Sequence, residues 1–83
     1  MAVFLTQTFQ KNFEKLPNNI RPRIKETLKK LHTNPYLGKK LKGNLEGEWS
    51  LRTGNYRIIY FIDDSGSIWM ETICHRKDVY KKR

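Results

Sequence analysis

A chain of 83 residues with a single cysteine is one domain, residues 1–83, whose small core no internal disulfide can reinforce. Its net charge of +9 favours a polyanionic partner, such as nucleic acid, an anionic membrane surface or an acidic protein. The start Met1-Ala-Val-Phe-Leu-Thr-Gln7 lacks the basic and long apolar run of a signal peptide, and no window is long enough to span a membrane. A soluble protein is expected, in a reducing, cytoplasmic setting, since the lone Cys74 reads as a packed small apolar residue.

Val3-Phe4-Leu5 predicts a short first strand. Thr8 is placed to cap a short helix whose Phe9, Phe13 and Leu16 share one face. Pro17-Asn18-Asn19 breaks it, and a second helix is expected from about Ile20 to His32, with Asn18 or Asn19 as cap and Pro22 in the first turn. Ile20, Ile24, Leu28 and Leu31 form its apolar stripe, while Arg21, Arg23, Lys25, Lys29 and Lys30 cover the rest. So short a connection predicts an antiparallel helical hairpin.

Asn34-Pro35 ends that helix, because the residue before proline is pushed out of the α region. A basic loop with Lys39, Lys40 and Lys42 follows and should wrap onto the sheet edge. Trp49–Arg52 and Tyr56–Ile62 read as two strands joined by a tight turn at Thr53-Gly54-Asn55. Alternation puts Tyr56, Ile58, Tyr60 and Ile62 on one face, and Arg57, Ile59 and Phe61 on the other. Asp63-Asp-Ser-Gly66 makes the next turn and Ser67–His75 the last strand. Opposing Ile62 to Ile68 brings Tyr60 to Met70, Ile58 to Thr72 and Tyr56 to Cys74 on the core side, and Arg57 to Ile73 on the other, with His75 and Glu71 diagonal to Arg57.

One end of the sheet then gathers Arg52, Arg57, His75, Arg76, Lys77 and Tyr80. Lys39, Lys40 and Lys42 are expected nearby. Two distant histidines and one cysteine do not build a metal site, so no metal or cofactor is expected. Cations and weak acids suffice for RNA cleavage, because the substrate's own 2′-OH is the nucleophile; the protein must deprotonate it, stabilise the pentavalent phosphate and protonate the leaving oxygen. Each residue also has a structural reading: Arg57 pairing with Glu71, His75 at the sheet edge, Tyr80 anchoring the tail, and Trp49 and Trp69 packing.

The element order, Asn34-Pro35 with Gly38-Lys-Lys-Leu-Lys-Gly43, the core Trp49-Ser-Leu-Arg-Thr-Gly-Asn-Tyr-Arg-Ile-Ile-Tyr60 and the closing His75-Arg-Lys-Asp-Val-Tyr80 resemble the RelE/ParE superfamily of toxins, closest to its RelE-type branch. The resemblance implies an α+β fold: an N-terminal strand and an antiparallel two-helix hairpin packed on a small, mainly antiparallel sheet of about four strands. It implies the toxin of a type II toxin–antitoxin pair, an endoribonuclease that cuts mRNA in the ribosomal A site. A RelB-like antitoxin would be its partner in a hetero-oligomer. By the same resemblance Arg57, Arg76 and Tyr80 are the catalytic candidates: a phosphate stabiliser, a charge stabiliser and acid, and a base or stacking group. Arg52, His75, Lys77, Lys39, Lys40 and Lys42 are the RNA- and ribosome-binding candidates. The chain departs from its relatives where they carry a strand lysine pair; here Glu48 and Ser50 stand instead. Two readings compete with the RNase: a ParE-like inhibitor of DNA gyrase, and a catalytically weakened module that binds RNA or an antitoxin.

Overall fold

A computed structural model describes residues 2–40 and 47–75. The elements are β1 (Val3–Leu5), α1 (Gln7–Glu14), α2 (Arg21–Thr33), β2 (Lys39–Lys40), β3 (Glu48–Thr53), β4 (Tyr56–Ile62) and β5 (Ile68–His75). The strands form one five-stranded sheet in the order β1-β5-β4-β3-β2, one more strand than expected. The sheet is mixed: β1 runs parallel to β5, and the other neighbours are antiparallel. Lys39–Lys40, expected as loop, supplies the fifth strand by pairing with Ser50 and Trp49.

Both helices pack on one face of this sheet. Phe9 and Leu16 around α1, Ile24 and Leu31 of α2, and Ile58, Tyr60, Ile68, Met70 and Ile73 of the strands form a single buried cluster. The apolar stripes and the core face of β4 are therefore those the alternation predicts. Thr6, not Thr8, caps α1: its hydroxyl accepts the Phe9 N–H at 3.1 Å. Ile20 precedes α2 without a side-chain cap, so neither Asn18 nor Asn19 fills that role, and proline sits in the first turn where a missing N–H costs nothing.

The β4–β5 register holds for its first three pairs and then changes. Ile62↔Ile68, Phe61↔Trp69 and Tyr60↔Met70 are followed by Ile59↔Thr72, Ile58↔Ile73, Arg57↔Cys74 and Tyr56↔His75. Glu71 is the extra residue of a β-bulge. Its cause lies at the sheet edge. β1 pairs with β5 only as far as Met70, so beyond that point β5 has no strand on that edge, and Thr6 and α1 supply the missing groups. The Thr6 hydroxyl donates to the Glu71 carbonyl at 2.9 Å, while Asn12 Oδ1 accepts the Ile73 N–H at 3.1 Å and the Thr72 hydroxyl at 2.7 Å. The bulge sends Ile73 into the core, where it is 6 % exposed, and turns Thr72 and Cys74 to the other face.

Candidate RNA-binding site

The face of the sheet away from the helices carries the site. Register places Glu48, Ser50 and Arg52 of β3 on it, level with Phe61, Ile59 and Arg57 of β4. Lys39 joins them by pairing with Ser50. Arg52 and Arg57 are direct partners, one rung in from the Gly54–Asn55 turn. Gly54 adopts φ +60°, a conformation that costs glycine little and that a two-residue hairpin loop needs.

These residues enclose a pocket of about 260 Å³ lined by Leu37, Gly38, Lys39, Ser50, Leu51, Arg52 and Arg57. Three cations thus face one concavity. Arg57 is half-buried, and its Nε is buried with no hydrogen-bond partner among the described residues. The cross-strand ion pair with Glu71 is not formed. Glu71 instead neighbours Glu48, and its carboxyl is pushed above the usual range by burial first and by the Glu48 charge second. Arg57 lines the pocket without that ion pair.

A row of rings lies farther along the same face. Phe4 stacks on Trp69 at 4.6 Å between centroids, and Trp69 on Phe61 at 6.1 Å, with planes 6° apart. The Trp69 indole N–H donates to Asp63 at 2.8 Å, which orients the middle ring. Asp63 also accepts from Ser65 and Ser67, and these bonds, led by the Ser65 hydroxyl and the indole, hold its pKa down to about 2. Trp49 lies on the helix side against Tyr36 and Tyr60, in the packing role.

The structure therefore brings together Arg52, Arg57 and Lys39. It separates two others. Lys40 pairs with Trp49 and so projects from the opposite face. His75 pairs with Tyr56 and makes an edge contact with that ring at 5.5 Å on the helix side, not beside Arg57, because the bulge at Glu71 reverses the end of β5. Lys42, Arg76, Lys77 and Tyr80 lie outside the described residues. Sequence reasoning missed two features. One is the carboxyl pair Glu48–Glu71, whose members sit on strands separated by β4; the other is Gly38 as a wall of the pocket.

The chain matches, over residues 3–80, a protein-family model described as the ParE toxin of type II toxin–antitoxin systems, parDE. It is 41 % identical to the toxin RelE of Mycobacterium tuberculosis over 64 residues, 75 % of this chain and 66 % of that toxin. It is 34 % identical to the toxin RelG of the same organism, covering 98 % of this chain and 97 % of the relative. Among solved structures, the RelBE2 toxin–antitoxin complex of M. tuberculosis superposes with a TM-score of 0.83 at 33 % identity, covering 90 % of this chain and 96 % of the other. The RelB–RelE antitoxin–toxin complex of Methanococcus jannaschii gives 0.79 at 28 % identity, covering 95 % and 96 %. The isolated RelE toxin of E. coli, at 0.78 and 20 % identity over 98 % and 92 %, shares the fold.

Proposed function

The chain belongs to the ParE toxin family of type II toxin–antitoxin systems, and from that premise we propose that it is a RelE-type toxin that cuts mRNA on the ribosome. The observation that carries this reading is the Arg52–Arg57 pair facing Lys39 across one pocket. A phosphodiester bound there meets three positive charges, and one guanidinium at ~4 Å is worth about 4 kcal/mol at an effective dielectric of 20.

The reaction is attack of the substrate's 2′-oxygen on the adjacent phosphorus. As the 2′-OH proton leaves, negative charge grows on the non-bridging oxygens, where a guanidinium held by a strand gives oriented, charge-assisted hydrogen bonds. Arg57 is assigned that role and Arg52 flanks it. The leaving 5′-oxygen must then be protonated, leaving a 2′,3′-cyclic phosphate end. Arg76 as acid and charge stabiliser and Tyr80 as base or stacking group complete the assignment. The partner that silences the toxin is a RelB-like antitoxin, a proposal supported by the RelB-bound state of the similar toxins.

Primer extension on a reporter mRNA in a cell-free translation system tests this, comparing the parent with Arg57→Ala and Tyr80→Phe. Discrete cuts that require ribosomes and disappear in Arg57→Ala are expected. A second reading is the ParE-like inhibition of DNA gyrase that the resemblance also implies, and the match to a ParE toxin family model keeps it in play. Induction of the DNA-damage response with intact mRNA would replace the first reading with the second.

A further inference from the structure

Tyr60 is fully buried in the core, yet its hydroxyl leaves the apolar cluster and meets the segment before β2. It donates to the Pro35 carbonyl at 2.9 Å and accepts the Gly38 N–H at 3.1 Å, so one oxygen holds two backbone groups three residues apart. Gly38 is pressed so closely that a Cβ built on it would fall 2.6 Å from the Ser50 carbonyl oxygen and 2.7 Å from the Tyr60 hydroxyl. The next residue, Lys39, pairs with Ser50, and Leu37, Gly38 and Lys39 form the wall of the pocket across from Arg52 and Arg57.

From this geometry we propose that the Tyr60 hydroxyl is a positioning residue of the anion pocket. By holding Pro35 and Gly38 against β3 it sets where Lys39 stands relative to the two arginines, and so how tightly the backbone phosphates of single-stranded RNA are held. A two-residue edge strand has little pairing of its own to fix it. The ring packs the core and would do so equally well as phenylalanine; only the oxygen reaches the pocket wall. The inference rests on the phosphate reading of the pocket.

The test is a double-mutant cycle read by fluorescence anisotropy of a labelled single-stranded RNA across a salt series, with circular dichroism to verify folding. Tyr60→Phe and Lys39→Ala should each weaken binding roughly three- to ten-fold, as loss of one charge-assisted phosphate contact does. Each should make the salt slope shallower by about 0.7, the value of one phosphate contact on a single strand. The double variant should bind no more weakly than Lys39→Ala alone, because the hydroxyl acts through the lysine. Gly38→Ala, which leaves the tyrosine in place and pushes the segment off the Ser50 carbonyl, should reproduce the same loss. Parent-like binding by Tyr60→Phe, or losses that multiply in the double variant, would overturn the inference while Arg57→Ala still weakened binding. Parent-like binding by Arg57→Ala would overturn the phosphate reading itself, and this inference with it.

Discussion

Arg52 and Arg57 stand directly opposite each other across β3 and β4, two like charges on one rung of an antiparallel ladder. Such a pair destabilises a sheet when nothing binds between its members. Its presence beside a concavity is what an anion site requires, and stability and function should therefore move in opposite directions. Arg52→Gln is expected to raise stability to urea by a few tenths of a kcal/mol, the scale of one cross-strand pair, while lowering ribosome-dependent cutting. A variant that loses both, or neither, would place the pair outside the site.

Most of this arrangement was legible because it depends on local patterning. Alternation along Tyr56–Ile62 separates Arg57 from the core without any knowledge of the fold, and Gly54 marks the turn that brings Arg52 alongside. The end of β5 was not legible. Uniform pairing puts Ile73 beside Arg57, and the one-residue slip that buries Ile73 carries Glu71 into the core if it runs the whole length of the strand. The bulge escapes that choice by absorbing Glu71 as an extra residue, and the groups that sustain it, Thr6 and Asn12, lie more than fifty residues away in sequence. No reading of β5 by itself contains that information. The face taken by Lys40 is illegible for a related reason: the register of a two-residue edge strand is set by Tyr60 and Gly38, not by its own composition.

Asn12 gives the second prediction. Its Oδ1 accepts both the Ile73 N–H and the Thr72 hydroxyl, so Asn12→Ala leaves a strand amide at the bulge without its acceptor. The expected cost is about 1–3 kcal/mol, the range for an unsatisfied buried donor. Hydrogen exchange should show the Ile73 amide losing protection first, while the amides of β3, a strand that does not border the bulge, stay protected until global unfolding.

Asp63 predicts behaviour in acid. Its pKa is lowered to about 2 by bonds from the Ser65 hydroxyl, the Trp69 indole and the Ser65 and Ser67 amides. A carboxyl lowered on folding stabilises the native state above its ordinary pKa near 3.8, and that contribution fades as pH falls toward about 2. The Trp69 indole proton should therefore keep its hydrogen-bonded NMR shift to about pH 3, then move as Asp63 protonates. Asp63→Asn should show the moved shift at every pH and should loosen the Phe4–Trp69–Phe61 stack.

Glu71 works with the opposite sign. Burial and the neighbouring Glu48 raise its pKa on folding, so the charged form is disfavoured in the native state. Stability is therefore reduced at neutral pH and is recovered as pH falls through the raised native value toward the ordinary carboxylate range. Glu71→Gln should be more stable than the parent at pH 7, by a few tenths of a kcal/mol once solvent screening is counted. The difference should close near pH 4, where both proteins carry a neutral side chain. Glu48→Lys should go further. It replaces repulsion by an ion pair with Glu71 and adds two units of positive charge to the face that holds Arg57. RNA binding should tighten several-fold at low salt and the gain should shrink as salt rises, because positive charge added to an RNA-binding face acts through counterion release. Tighter binding without faster cutting would assign position 48 to holding RNA. Faster cutting at saturating ribosomes would mean that the acidic pair restrains the chemistry of the site.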